Sequence, residues 1–197
     1  MTALLTIENL PDLNETITVP EDIFEELTAQ DASVAGFNPY EQPTVRDLLY
    51  GVLLPSGADA CETLARAVGG SEEGFVAMMN QKAEELGLTN THFENCTGLH
   101  NDNHYSTCRD IAVLMSECLK SDTFREIVTR EVYTTEATAS HPEGITLYDT
   151  MLHRFTSYEM STTLENGAVI EGGKTGFTDE AGQCLVSFAE YGGEEYI

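Results

Sequence analysis

Leu48-Leu-Tyr-Gly-Val-Leu-Leu-Pro-Ser-Gly-Ala-Asp-Ala-Cys-Glu-Thr-Leu-Ala-Arg66 is an apolar run, a polar turn and a second apolar run. Just upstream, Thr44-Val-Arg-Asp47 sets a threonine three residues ahead of an acid, the capping-box pattern of a helix start. The pattern predicts a helix from Thr44 through Leu54, stopped by Pro55, and a second from Ala60 to Val68, closed by Gly69-Gly70. Between them lies Pro55-Ser56-Gly57-Ala58-Asp59. A serine in such a turn can point its hydroxyl into a cleft. Taken alone, the turn is better read as a cap, with Ser56 or Asp59 closing the start of the next helix.

Working outward, Met1–Leu10 reads as part of an apolar helix, Thr16–Val19 as a short alternating strand, and the stretch through Pro43 as an acidic turn and a Gly-, Asn- and Pro-rich loop. Downstream, Ser71 caps a helix whose Phe75, Met78, Met79, Ala83 and Leu86 recur at helical spacing until Gly87. Thr107-Cys-Arg-Asp110 is another capping box and opens a helix through Leu119. After about residue 130 the character changes. Glu131–Glu136, Val169–Glu171 and Cys184–Ala189 read as strands, and Gly192-Gly193 as a hairpin turn with Glu194–Ile197 returning. The expected organisation is one incomplete domain over residues 1–197, mainly helical over 1–130 and strand-rich over 131–197.

The 197 residues carry 34 acids against 9 bases, a net charge of −25. Such a surface repels phosphate backbones and argues against nucleic acid as a partner. Its plain reading is solubility, or a source adapted to acid or salt. No run approaches the roughly 18 apolar residues of a membrane span. No secretory leader is visible either, so an exported protein would take its signal and any membrane attachment from outside these residues. The five cysteines form no Cys-x-x-Cys pair, so neither a zinc site nor a thioredoxin-like motif is expected, and buried free thiols are the preferred reading.

Gly172-Gly173-Lys174-Thr175-Gly176 is the second polar cluster. Placed after a strand, it suggests a sheet edge with a close backbone approach, where Lys174 offers a charge to a carboxylate and Thr175 a hydroxyl. A phosphate-binding loop is rejected. Its first glycine would fall at Ala168, and a turn, not a helix, follows Gly176. His100 and His104 have a metal-compatible spacing, but the intervening Asn-Asp-Asn argues for a loop and no third ligand is apparent; no metal or cofactor is expected.

Several of these segments together resemble the serine-type D-Ala-D-Ala carboxypeptidases, penicillin-binding proteins of the β-lactamase/transpeptidase-like superfamily. Leu48–Arg66 is similar to the family's Ser-x-Asn segment, and Gly74–Phe93 to the stretch that follows it. Asn95-Cys-Thr-Gly-Leu99, His104–Ala112 and Gly173–Gly182, with its Lys-Thr-Gly, continue the likeness in order; residues 137–166 are hard to align.

The resemblance implies an α+β fold: an antiparallel sheet backed by helices, a mainly helical subdomain, and N-terminal strands and the end of the sheet missing. It implies a reaction in which a serine attacks the carbonyl between two terminal D-alanines of a peptidoglycan stem peptide, activated by a lysine one helical turn later in Ser-x-x-Lys. Ser56 would relay protons, Lys174 would hold or polarise the substrate's terminal carboxylate region, and Thr175 and Gly176 would bind the peptide. β-Lactams would act as inhibitors, and the location would be extracytoplasmic. Two departures stand out. No Ser-x-x-Lys occurs in residues 1–197, as though the sequence starts just after the activating lysine, so this polypeptide is expected to be inactive alone. The asparagine of Ser-x-Asn is Ala58, which has no amide to offer. The rival expectation is a non-catalytic protein that kept the fold and lost the chemistry. A class A β-lactamase is weaker, since its Ser-Asp-Asn and deacylating glutamate have no clear equivalent.

Overall fold

The computed structural model describes residues 1–197. Its centre is α3 (Val45–Leu53), in which every residue except Arg46 is buried. A helix buried on nearly every side must be enclosed, and α3 is surrounded by α1 (Thr2–Asn9), α4 (Ala58–Gly69) and α7 (Asp122–Val128). α5 (Glu72–Glu85) packs outside α4, and α2 (Ile23–Ala29) lies against α4 as well. α6 (Cys108–Cys118) reaches toward the sheet.

The predicted caps form. Thr44 accepts the Asp47 N–H at 3.1 Å, and Asp47 accepts the Thr44 N–H in return. Asp47 also accepts the Tyr133 hydroxyl at 2.9 Å and the Glu136 N–H at 3.1 Å, so the cap of the central helix anchors the segment around β1 (Val132–Thr134). Tyr133 stacks on Tyr50 of α3 with ring centroids 3.6 Å apart. Ser71 caps α5 and Thr107 caps α6, but the box expected at Thr107–Asp110 is only half made: the Asp110 carboxylate accepts the Asn90 N–H and the Thr91 hydroxyl instead of returning a bond to Thr107.

β1 pairs antiparallel with β2 (Thr146–Tyr148). A second sheet has the antiparallel order β3-β4-β5, formed by Val169–Thr178, Gly182–Tyr191 and Glu194–Tyr196. It packs against α7 and α6, and Phe188 carries its inner face into the core. α8 (Leu152–Ser157) precedes it. The α+β class is therefore as expected.

Three local readings change. Thr16–Val19 forms no strand: Thr16 makes one bridge to Thr44, and the segment is tied by Ile17 and Val19 N–H groups to carbonyls of Pro43 and Glu41. The acidic stretch after Pro20 folds into α2, because Ile23 and Leu27, one helical turn apart, find α4 to bury against. Two thiols expected to be buried, Cys108 and Cys184, are exposed, while Cys61, Cys96 and Cys118 are buried; all five are free.

Candidate active site

Lys174, Thr175 and Gly176 lie within β3 and not beyond its end. The glycines at 172 and 173 are each demanded by close packing. A Cβ on Gly172 would sit 2.4 Å from the Val128 carbonyl, and one on Gly173 would sit 2.5 Å from the Val186 carbonyl. The strand therefore passes α7 with a register shift between Ile170 and Gly172 and runs on to Thr178, at the edge of the β3-β4-β5 sheet. β3 is an edge strand of that sheet, and its Lys174–Thr178 segment lines the cleft.

Opposite β3 stands the turn between α3 and α4. Ser56 adopts φ 62°, the left-handed region that a non-glycine residue occupies at a cost of order 1 kcal/mol. Gly57 is the N-cap of α4 and uses no side chain for it, so Ser56 is not a helix cap. A Cβ on Gly57 would fall 2.7 Å from the Ala35 nitrogen. That crowding arises because the Ser33–Phe37 loop lies directly over the turn. Asp59 holds it there: the fully buried carboxylate accepts the N–H groups of Ala35, Gly36 and Phe37 at 2.7, 2.9 and 3.0 Å.

The result is that the two sequence-predicted clusters meet. The Lys174 ammonium donates to the Ser56 hydroxyl and, at 2.8 Å, to the Thr175 carbonyl. Burial pushes the Lys174 amine below its usual range. Ala58 lines the same cleft from the first turn of α4, and Thr175 and Gly176 line it from β3. The cleft measures about 770 Å³ and is also bounded by Met1, Thr2 and Ala3 at the start of α1.

Several contributors escaped the sequence reading. The Thr150 hydroxyl hydrogen-bonds with that of Thr175, and the Thr150 N–H donates to the Leu54 carbonyl at 3.2 Å. Asp149 accepts the N–H groups of Met151 and Leu152 at 2.8 and 2.6 Å, fixing that turn; burial raises its carboxyl. Arg154 lines the cleft as well. These lie in residues 137–166, where no motif marks them. Lys174 and Arg154 are the cationic side chains lining the cleft, against one acid, Asp31, in a chain of net charge −25. The local field thus favours an anionic group such as a carboxylate, the reverse of the protein's overall bias. His104 also lines it, in a loop, with burial lowering its affinity for a proton; its Nδ1 accepts the Glu94 N–H at 3.3 Å. His100 is turned toward Asp102 and Glu180, so the two histidines form no chelate.

Comparison with known proteins agrees with this geometry. The sequence profile described as D-alanyl-D-alanine carboxypeptidase matches residues 1–197. The D-alanyl-D-alanine carboxypeptidase DacF of Bacillus subtilis is 34% identical over 193 residues, covering 98% of this chain and 46% of its own length. The D-alanyl-D-alanine carboxypeptidase of Streptomyces sp. strain K15 is 36% identical over 192 residues, covering 94% of this chain and 64% of its own. The crystal structure of the Streptomyces K15 DD-transpeptidase superposes with a TM-score of 0.81 at 33% identity, over 98% of this chain and 76% of that one. The chain thus spans about half to two thirds of the length of these curated relatives.

Proposed function

Because the chain belongs to the D-alanyl-D-alanine carboxypeptidase family, we propose that its cleft is the substrate-holding and proton-relay part of a serine peptidase site that removes the terminal D-alanine from peptidoglycan stem peptides. The observation that carries this reading is the contact between Lys174 and Ser56, made across the cleft by the two motifs the family shares.

The chemistry follows from that contact. In the family's reaction the serine of Ser-x-x-Lys forms an acyl-enzyme, and the departing D-alanine amine needs a proton. Ser56, hydrogen-bonded to the Lys174 ammonium, would pass one. A substrate laid along β3 would meet Gly176, which adds no side chain, and the Thr175 hydroxyl, whose direction Thr150 fixes. Lys174 and Arg154 supply the positive field for its terminal carboxylate. Water then hydrolyses the acyl-enzyme. A β-lactam would acylate the same serine. Stem peptides place the work outside the cytoplasmic membrane; no helix here is long and apolar enough to cross one.

Residues 1–197 contain no Ser-x-x-Lys, so the polypeptide of this length should bind such peptides without being acylated. The test is a titration of the purified protein with a peptide ending in D-Ala-D-Ala and with the same peptide amidated at its C-terminus, beside incubation with labelled penicillin. Saturable binding of the free acid alone, lost in Lys174→Met, with no covalent adduct, is the expected result. Equal binding of both peptides would overturn the substrate reading, and a stable penicillin adduct would overturn the claim of inactivity.

A second reading, a non-catalytic peptide-binding protein, draws on Ala58, where the family has asparagine. The coding sequence ahead of Met1 separates the two: Ser-x-x-Lys there supports an enzyme, and its absence a pseudoenzyme.

A further inference from the structure

Between α4, α5 and the loop after Phe93, three groups able to ligate a metal meet that no sequence spacing connects. Glu62 lies on α4, Glu72 on the first turn of α5, and Cys96 in the loop that follows Phe93. Their ligand atoms all fall within 4.8 Å of one another. Glu62 is only 7% exposed, and its Oε1 accepts the Cys96 thiol at 3.3 Å. Its Oε2 is buried with no hydrogen-bond partner, the one buried side-chain oxygen or nitrogen in the protein so placed. The nearest cation, the Arg66 Nε, is 3.6 Å away, and that guanidinium is drawn at 2.7 Å to Asp22 instead.

An unpartnered carboxylate oxygen in the interior costs a few kcal/mol, and a native fold that keeps one calls for a reason. The backbone around the cluster is fixed. The Cys96 N–H donates to Glu72 Oε1 at 3.2 Å, and the Cys96 carbonyl accepts the Thr2 hydroxyl at 2.7 Å. Glu62 and Glu72 also line a cavity of about 200 Å³ that opens to solvent, which provides an entry path and room for a fourth, non-protein ligand.

We propose that Glu62, Glu72 and Cys96 form a binding site for a divalent cation of the zinc class. Two carboxylates and a thiolate suit a borderline dication and not calcium or magnesium, which take oxygen alone. The Glu62 and Glu72 carboxylates lie together there, a like-charge contact that a dication removes. On binding, the Cys96 S–H bond breaks, a sulfur–metal bond forms and the proton passes to solvent. The cation then ties α4 and α5 to the Asn95–Leu99 loop, and that loop, Cys96 included, also lines the Ser56–Lys174 cleft.

The test is titration of chelator-treated protein with Co²⁺, in a Cys108→Ser/Cys184→Ser background that removes the exposed thiols. One equivalent should bind, with a thiolate-to-cobalt charge-transfer band, visible absorption of a low-coordinate site and displacement by Zn²⁺. Cys96→Ser should abolish the charge-transfer band, and Glu62→Gln should weaken binding by about 100-fold or more, beyond the usual effect of an outer-shell change. Should Cys96→Ser fail to fold, the band in the parent and a rise in its melting temperature with Zn²⁺ carry the test. Absence of the band in folded parent protein, its survival in Cys96→Ser, or unchanged affinity in Glu62→Gln would overturn the site.

Discussion

Lys174 and Ser56, 118 residues apart, are joined by a hydrogen bond that closes the cleft between the edge strand and the α3–α4 turn. The bond is made under strain on both sides. Ser56 sits at a left-handed φ, and burial depresses the Lys174 amine. A lysine whose folded pKa lies below its ordinary 10.5 is a stability cost while it is charged, and that cost is relieved as pH rises from the folded value toward 10.5. Lys174→Met should therefore stabilise the protein by about 1 kcal/mol at neutral pH while abolishing binding of D-Ala-D-Ala peptides. Urea unfolding at several pH values checks it: the advantage of the variant should shrink toward alkaline pH. A destabilised variant would show that the ammonium is a structural tie.

Ala58 offers the cleft a methyl group from the first turn of α4, with its own N–H held by the Ser33 carbonyl at 2.8 Å. Ala58→Asn supplies an amide where the family has one. The expected gain is about tenfold in affinity for a D-Ala-D-Ala peptide, one good hydrogen bond's worth, at a stability cost under about 1 kcal/mol. Isothermal titration of both proteins decides it. Unchanged affinity would show that the missing amide is not what limits binding.

How much of this was legible beforehand differs by residue. Lys174, Thr175 and Ser56 could be named because they sit in linked motifs, and α3, α5 and α6 because local capping signals agree with their apolar spacing. The α2 helix is not legible in the sequence: its acidic sequence is a weak local signal, and only α4 rewards the burial of Ile23 and Leu27. The sequence marks only Val169–Glu171 as a strand, while β3 runs through Gly172 and Gly173, whose missing side chains are required by the Val128 and Val186 carbonyls. Asp149, Thr150 and the Glu62–Glu72–Cys96 cluster depend on contacts between distant segments, which no periodicity records.

Asp59 illustrates such a contact. Its sequence position suggests a cap of α4, and the structure gives it the larger task of holding the Ser33–Phe37 loop over Gly57. Asp59→Ala would leave three N–H groups without their acceptor and should cost about 3 kcal/mol or more. Hydrogen exchange should accelerate at Ala35 and Phe37 in particular. If exchange there matches the rest of the chain, the loop is held by something other than this carboxylate.

Glu41 sets the acid limit of the same region. It is 4% exposed and accepts the Thr138 hydroxyl, the His141 ring at 2.8 Å and the Asn38 N–H at 2.8 Å. Burial alone would raise its carboxyl; the hydrogen bonds from His141, Thr138 and Asn38, with the attraction of His141, outweigh it and hold the group below its ordinary 4.5. The unfolded chain therefore binds this proton more tightly than the folded one. The stability Glu41 contributes is complete above 4.5 and is lost as pH falls through the lower folded value. Glu41→Gln, which mimics the protonated acid, should cost about 1–3 kcal/mol at neutral pH and progressively less in acid. Urea midpoints for the two proteins, followed from pH 7 downward, should converge. A gap that stays constant as the pH drops would mean that the clamp between the Asn38–Glu41 turn and the Thr138–His141 turn does not depend on the charge of Glu41.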